Sequence, residues 1–293
     1  MIRANIIGVA ICAVIFIAAF LITGNAAAYL NVEACMVVVS GTFGAALLSY
    51  PYDHLKTAYY VAKGTYTHPG TDPDAVIGVL LDTAIRSRLD GLAAMEKAGE
   101  QTTMHFLRGA LNMLADNYPE HEIRDILATE IHFFRTRRMQ QERVFRSMAT
   151  YAPAFGLAGS VIGLIGLLIG LGDTGEVLRF IPIALISTLY GILFGNFVLT
   201  PVAENIRGKT DREVLVQQLI IEGVCAIKTE ANPHILEKRL TSFLTPASRR
   251  DSQENFAELR KKYVKIAQQR REAEELAART AAGGASAKTQ ARR

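Results

Sequence analysis

The chain lacks tryptophan, has only three cysteines among 293 residues, and carries no charged side chain in three of its four long apolar runs. Cysteines at 12, 35 and 225 exclude an even-numbered disulfide framework. The six histidines lack the short ligand spacing of a zinc site, so the sequence predicts neither a metal nor a cofactor. It also lacks a nucleophile beside a base and a phosphate-binding loop, so no enzyme is predicted.

Apolar residues make up 50% of the chain, and its mean hydropathy is +0.18. This value is too low for a chain buried wholly in lipid, so the apolar residues must be segregated. A membrane-spanning helix needs about 20 predominantly apolar residues. Four stretches come close to this length: 6–22, 32–50, 152–171 and 180–200. The sequence therefore predicts an all-α polytopic membrane protein with four transmembrane helices and a helical cytoplasmic domain.

The predicted organisation follows from these spans. Residues 1–50 hold the first two spans and 51–151 form a cytoplasmic helical loop. Residues 152–201 hold the third and fourth spans, and 202–245 form further cytoplasmic helices. The tail, 246–293, is charged and largely disordered, with one marginal amphipathic helix as the alternative for part of it.

Positive charge sets the expected orientation. Of 32 Lys and Arg, twelve lie between the second and third spans and eighteen follow the fourth. The positive-inside bias therefore places both termini and the large loop in the cytoplasm. Basic residues of the loop nearest the third span are expected to face lipid phosphates or to act as a topology signal. They are Arg135, Arg137, Arg138, Arg143 and Arg146.

The N-terminus has a second interpretation. Arg3, the apolar run and the small residues 26–28 together resemble a cleavable signal peptide. The apolar run is longer than the usual core of about 7 to 15 residues, which favours retention as a span.

The loop is expected to be helical up to the membrane. Glu120 and Glu122 suit a helix start, and the helix that follows is predicted to run straight into the third span. Its predicted buried face consists of Ile123, Ile126, Leu127, Ile131, Phe134 and Val144.

Glycine recurs in the third span at gaps of three and four residues. Such gaps place the glycines on one helix face, where two backbones can approach closely. The sequence therefore predicts a tightly packed hairpin of spans three and four. Its predicted packing positions are Gly156, Gly159, Gly163, Gly166 and Gly170, with Gly191 and Gly195 in the fourth span.

Neither of these two spans contains an Asp, Glu, His, Lys or Arg. If the chain belongs to an ion-driven machine, a second subunit must bring the titrating carboxylate. Ser160 and Thr188 then offer hydroxyls to water, an ion or the partner's acid. The alternative is that both hydroxyls bond to carbonyls or across the helix pair, which is common in spans.

Several runs resemble the MotA family, the channel subunits of flagellar stators. Residues 150–156, Gly159 with Ser160, 187–191 and Thr200 with Pro201 are similar to the family's third and fourth spans. The resemblance covers about residues 1 to 245. ExbB and TolQ are more distant relatives, which share the paired spans but resemble three-span proteins.

The resemblance implies a multi-pass protein of the bacterial inner membrane. It implies a homopentameric ring, in contact with membrane lipid, around two MotB helices that carry the ion-binding aspartate. Ion flow would drive torque on the rotor switch protein FliG, and no nucleic acid is expected to bind. The alternatives are an ExbB-like or TolQ-like energiser of an outer-membrane process, or a stator driven by sodium.

Family positions extend to individual residues. The resemblance implies an ion pathway past Pro153, Ser160, Thr188 and Pro201, with the prolines alternatively marking a helix start and a helix end. The serine at 160, where sodium-driven relatives resemble one another in having threonine, leaves the transported ion open, with protons favoured over sodium.

The loop also holds a segment that resembles the family's rotor contact. There the resemblance implies that Arg88 and Glu96 meet charges on FliG, with Arg86 and Asp90 as alternatives and Glu130 as a weaker candidate. Both leading residues lie nearly on one face if Gly91 leaves the helix continuous.

Overall fold

The computed structural model describes residues 29–68, 70–90, 92–170, 174–229 and 233–244, with six separate residues before position 29. The predicted first span and the tail from 246 onward thus lie outside the described residues, apart from those six. The chain divides into two compact units. The first comprises Met1–Pro69 and Thr136–Thr210, and the second comprises Gly70–Arg135 and Asp211–Arg293.

The described residues form helices and no strand. In chain order the helices are α1 (Val32–Ser49), α2 (Tyr52–Thr67), α3 (Pro73–Asp90), α4 (Leu92–Gln101), α5 (His105–Ala115), α6 (Glu120–Ile169), α7 (Thr174–Leu193), α8 (Thr200–Lys228) and α9 (Pro233–Thr241). A π-helical turn, Phe194–Leu199, connects α7 to α8 without a break. The prediction of an all-helical chain is confirmed for these residues.

Three described helices are long and apolar enough to cross a membrane. They are α1, the C-terminal part of α6, and the continuous segment Phe180–Lys228. They coincide with the predicted second, third and fourth spans. The 50 residues of α6 also show that the loop helix runs into the third span, as predicted.

In the first unit, α1 begins at a polar cap. The Asn31 side chain accepts a hydrogen bond from the Ala34 backbone nitrogen at 2.8 Å. The Tyr190 hydroxyl of α7 accepts one from the Asn31 nitrogen at 3.1 Å and donates one to the Tyr29 carbonyl. One side chain of α7 therefore fixes the start of α1 from both sides of the cap.

The other end of α1 closes over a small apolar cluster. Six buried residues form it: Ala46, Ala58, Val144, Met148, Ala152 and Leu199. They come from α1, α2, α6 and the π-helical turn, so this cluster binds the membrane-proximal ends of four elements together.

The second unit has the larger apolar core, built from α3 to α6, α8 and α9. Ile123, Leu127 and Ile131 are buried in it as predicted, whereas Ile126 is 41% exposed. The prediction for Ile126 is wrong because it lies beside the apolar stripe of α6 rather than on it.

Candidate functional site

The hairpin of α6 and α7 is built on glycines that lie against the opposite backbone. A methyl group on Gly163 would lie 2.6 Å from the Ala184 nitrogen, and one on Gly156 would lie 2.8 Å from the Ser187 carbonyl oxygen. Gly159 lies against the Ser187 side chain in the same way. A side chain at these positions would force the helices apart, because close-packed atoms leave no room for it.

Glycines of α7 and the π-helical turn complete the contact. A methyl group on Gly191 would lie 2.6 Å from the Ala152 carbonyl oxygen, and one on Gly195 would lie 2.8 Å from that of Ala149. Pro153 has no N–H to donate to the Ala149 carbonyl four residues earlier. Gly195 thus covers a carbonyl that has lost its usual helical donor.

The two remaining predicted glycines lie near the other end of the hairpin. Gly166 faces the Phe180 ring, which a methyl group would meet at 2.5 Å. Gly170 follows the last residue of α6, and its N–H donates to the Gly166 carbonyl at 3.1 Å. A packing role for Gly170 stays a prediction.

A third helix joins the hairpin through a contact that was not predicted. Gly41 of α1 lies directly on the Phe155 ring, and Val37 lies one turn away at Gly159. Gly41 is not among the packing positions predicted from the sequence. The neighbouring Gly44 gives the same signal in the sequence, yet no described residue lies within 4 Å of a methyl group placed there.

Ser160 and Thr188 lie together, as the prediction of a shared pathway requires. Their hydroxyls bond to each other, and the Ser160 hydroxyl also bonds to the Ala184 carbonyl of α7. A serine has one hydroxyl proton, so donation to Ala184 leaves Thr188 as the donor in the Ser160–Thr188 pair. In this arrangement both protons are used within the hairpin, which is the packing alternative stated for these hydroxyls.

Pro153 and Pro201 lie inside helical structure. Pro153 is within α6. Pro201 follows Thr200, where the π-helical turn ends and α8 begins. The Thr200 hydroxyl donates to the Gly195 carbonyl at 2.9 Å across this wide turn. The alternative of a helix start at Pro153 is wrong because the loop helix and the third span are one helix.

The predicted rotor segment lies in the second unit, on both sides of Gly91. Arg88 lies near the end of α3 and Glu96 lies in α4, with Gly91 outside the described residues between the two helices. The condition of one continuous helix through Gly91 thus lies outside the described residues and stays a prediction. Glu130 lies on an exposed position of α6 in the second unit. Contact with a rotor stays a prediction for all three residues.

One membrane-proximal arginine is ion-paired. Arg146 contacts Glu142 at 2.6 Å and Glu204 at 2.9 Å. The hydrogen bonds that the guanidinium donates to Glu142 and then to Glu204 raise the pKa of Arg146 above its ordinary value. The guanidinium joins α6 to α8 in the first unit, which the interpretation as a lipid anchor did not include.

A second arginine joins the same two helices within the second unit. Arg124 contacts Glu222 at 2.7 Å and Glu120 at 3.2 Å. These hydrogen bonds, Glu222 first, raise the pKa of Arg124, and burial opposes them. Sequence reasoning missed the pair because its residues lie 98 positions apart.

These features were compared with known proteins. The model of the MotA/TolQ/ExbB proton channel family matches residues 98–218, which include the hairpin. Motility protein A of Borreliella burgdorferi is 30% identical over 247 residues, which cover 83% of this chain and 93% of that protein. The chain belongs to the MotA/TolQ/ExbB proton channel family.

Solved structures of this family have the same fold. The structure of C. jejuni MotAB matches with a TM-score of 0.77 and 26% identity, covering 84% of this chain and 97% of that one. The flagellar MotAB stator complex from Bacillus subtilis matches with a TM-score of 0.74 and 27% identity, covering 82% and 97%. This is a channel family and not an enzyme family.

Proposed function

We propose that this chain is a flagellar motor stator subunit that couples ion flow to torque on the rotor. The uncharged, glycine-packed hairpin of α6 and α7 carries the proposal. A wall without a titrating group needs a carboxylate from elsewhere if it is to move protons. The similar solved structures are MotAB complexes, which supports MotB as the partner. In the proposal this partner contributes one span with the ion-binding aspartate.

The proposed setting is the bacterial inner membrane, with four spans and both termini in the cytoplasm. The three apolar helices and the excess of Lys and Arg on one side support it. The proposed assembly is a homopentamer around two MotB helices. In the second unit, Arg88, Glu96 and Glu130 are the proposed contacts to FliG.

Protons are the proposed coupling ion. A sodium ion that enters a narrow site must exchange its water shell for oxygen ligands of the protein. The Ser160 and Thr188 hydroxyls are bonded to each other and to Ala184, so a sodium ion would have to break these bonds to use them. Transfer of a proton to a partner carboxylate does not require these hydrogen bonds to break.

Complementation tests the proposed function. The chain and its MotB-type partner, expressed together in a stator-deficient strain, are expected to restore swimming, whereas either protein alone is not. A partner whose span aspartate is replaced by asparagine is the matched control and should assemble without restoring motility. Correct membrane insertion with no motility, together with rescue of an outer-membrane transport defect, would favour an ExbB-like or TolQ-like energiser.

The same strain tests the ion. Swimming speed is expected to persist when sodium is replaced by potassium and to be lost on addition of a protonophore. Loss of swimming on sodium withdrawal, with recovery on its return, would contradict the assignment of protons.

A further inference from the structure

Helix α2 displays a row of alternating tyrosines and lysines. The row consists of Tyr52, Lys56, Tyr59, Lys63 and Tyr66, all exposed. The three tyrosines are 69%, 61% and 61% exposed. With 3.6 residues per turn, the five positions fall within an arc of about 80° on one side of the helix. The row is therefore a continuous surface with both aromatic and cationic groups.

The opposite side holds α2 in place. Ala58 is completely buried and Ala62 is 8% exposed, and Ala58 packs in the cluster that includes Ala46. At its C-terminal end, the Lys209 ammonium donates to the Gly64 carbonyl at 3.1 Å and to the His68 carbonyl at 2.9 Å. Because α2 is held at Ala58 and again at its C-terminal end by Lys209, the direction in which the row faces is fixed as well.

The polar groups of the row have no partner within the described part of the chain, although the Tyr59 ring contacts the Tyr60 ring edge-on at 5.9 Å. Lys56 and Lys63 form no ion pair with a described residue, and the hydroxyls of the three tyrosines form no hydrogen bond with one. Asp53, the one carboxylate of α2, lies outside the row. Two ammonium groups and three phenols are thus available to a ligand.

The row starts at the end of an apolar span. Only Tyr50 and Pro51 separate α1 from α2. The Tyr50 hydroxyl bonds to Ser147 at 2.7 Å, one turn and a half before the uncharged stretch of α6 begins. Tyr52 and Lys56 therefore lie next to the boundary between the apolar and the polar parts of the first unit.

The surrounding segments are strongly basic. Residues 51–69, 136–151 and 201–210 contain eight Lys or Arg and three Asp or Glu. The second unit is opposite in sign, because residues 70–135 and 211–244 contain ten Lys or Arg and sixteen Asp or Glu. A second copy of the basic segments could offer few carboxylates to Lys56 and Lys63, whereas an anionic surface matches their charge.

We propose that this row binds the headgroups of anionic phospholipids in the leaflet where α1 ends. Tyrosine rings are amphipathic and favour the headgroup level of a membrane. Each lysine near an anionic leaflet strengthens binding about fivefold. The proposal rests on the membrane placement in the proposed function and not on ion transport.

The absence of tryptophan makes a direct test available. Tyr59→Trp gives the full chain a single tryptophan, which can be excited selectively over tyrosine, and its complex with a partner free of tryptophan is placed in nanodiscs. We expect brominated phosphatidylglycerol, mixed into phosphatidylcholine, to quench this tryptophan more strongly than brominated phosphatidylcholine does. The matched control is Tyr118→Trp in the second unit, where the tyrosine is 38% exposed and neither lipid should quench.

Charge removal tests the selectivity. Lys56→Gln with Lys63→Gln in the Tyr59→Trp chain should reduce the preference for phosphatidylglycerol about 25-fold, at about fivefold for each lysine. Equal quenching by both lipids before charge removal would overturn the assignment to anionic headgroups. A second result would also overturn the proposal. If neither lipid quenches the tryptophan, and if an aqueous quencher reaches it in the single chain but not in the assembled ring, the row contacts a second copy of the chain. Restored swimming by the Tyr59→Trp chain shows that a negative result does not come from loss of the proposed function.

Discussion

At the scale of single residues, the hairpin depends on positions where a missing side chain lets two backbones meet. Gly163 lies on Ala184, and Gly156 lies on Ser187 and Gly191. Association of membrane helices relies on such close packing. Lipid tails are as apolar as the side chains, so moving a side chain from lipid to a helix contact brings no hydrophobic gain. The glycines therefore stabilise the wall of the proposed ion pathway without adding a polar group to it.

Gly163→Ala is expected to destabilise the hairpin. The added methyl group would lie 2.6 Å from the Ala184 nitrogen, and a backbone atom cannot move aside as a flexible side chain can. Overpacking of this kind costs about 1–3 kcal/mol. Thermal unfolding of the detergent-solubilised complex should show a lower midpoint.

Gly44→Ala is the matched control, since it adds the same methyl group to α1 with no described atom within 4 Å. Helix propensity alone favours alanine there by about 1 kcal/mol, so the midpoint should stay or rise. A midpoint for Gly163→Ala that is no lower than that of Gly44→Ala would show that α6 and α7 do not meet at this position, because both substitutions gain the same helix propensity.

Cys225 gives the second unit a dependence on alkaline pH. Burial raises the pKa of this thiol above its ordinary value. The folded chain therefore keeps the thiol proton at a pH where the unfolded chain releases it. The stabilisation that Cys225 contributes is complete below the ordinary thiol pKa of about 8.5. It is lost as the pH rises from there through the raised pKa of the thiol in the folded chain.

Unfolding midpoints measured below and above the ordinary thiol pKa should fall less steeply with rising pH in Cys225→Ala than in the natural chain. Cys225 should also react with iodoacetamide much faster after unfolding than before. Parallel pH profiles for the two chains, or rapid alkylation of Cys225 itself in the folded protein, would argue against a buried neutral thiol; Cys35 is exposed, so the site of alkylation must be mapped.

Sequence reasoning found residues whose signal is local and missed those whose partners are distant. The glycine stripe was predictable because gaps of three and four define one helix face. The pairs Arg124–Glu222 and Arg146–Glu204 were not, because only the packing of α6 against α8 brings them together. The hydroxyl pair was named as two site residues, while its internal bonding needed the register of α6 on α7.

At the scale of elements, α6 joins the loop to the third span as one helix of 50 residues. The sequence predicted this because apolar residues keep helical spacing up to the membrane and no strong stop signal intervenes. Pro153 does not break the helix, and Gly195 lies against the carbonyl that this proline leaves without its helical donor. The π-helical turn was not predictable, since no residue type in the sequence marks the place where a helix takes an extra residue into one turn.

Loop junctions were predictable only where a residue has one strong local preference. The end of α5 is such a case, because Asn117 adopts a φ of 60° there and its N–H donates to the Leu114 carbonyl at 3.0 Å. Asparagine tolerates this left-handed conformation and often closes a helix in this way. Gly91 gave a weaker signal, since glycine occurs both within helices and between them.

Tyr190→Phe is expected to loosen the start of α1. The change removes the hydroxyl that donates to the Tyr29 carbonyl and accepts from the Asn31 nitrogen. Each hydrogen bond contributes about 1 kcal/mol net, so the complex should unfold at a lower temperature. Hydrogen exchange of the first turn of α1 should become faster.

Tyr60→Phe is the control, because Tyr60 is 59% exposed and its hydroxyl forms no hydrogen bond with a described residue. Its midpoint and exchange rates should match those of the natural chain. If Tyr190→Phe behaves in the same way, then α7 does not hold the start of α1 in the assembled protein.

At the scale of the whole molecule, charge separates by unit. Residues 152–171 and 180–200 of the first unit are uncharged, whereas the described part of the second unit is acidic overall. This division suits the proposed roles, in which the first unit forms an ion-conducting wall and the second meets the rotor.

Arg88→Glu is expected to impair torque while the protein still inserts and assembles. Reversing a charge at a contact turns attraction into repulsion, which lowers stall torque measured on tethered cells. Arg212→Glu in the same unit is the charge-matched control for a general loss of positive charge, because Arg212 is exposed and forms no ion pair with a described residue. Wild-type torque in the Arg88→Glu strain would remove this residue from the proposed rotor contact.

The central claim is that the hairpin is an uncharged wall that must receive its proton carrier from a partner. Proton uptake into vesicles under a membrane potential measures this directly. Vesicles that hold the chain together with its MotB-type partner are expected to conduct once any block by the partner is removed. Vesicles that hold the chain alone, or with a partner whose span aspartate is replaced by asparagine, are expected to remain impermeable to protons. Proton conduction by the purified chain alone would contradict the account.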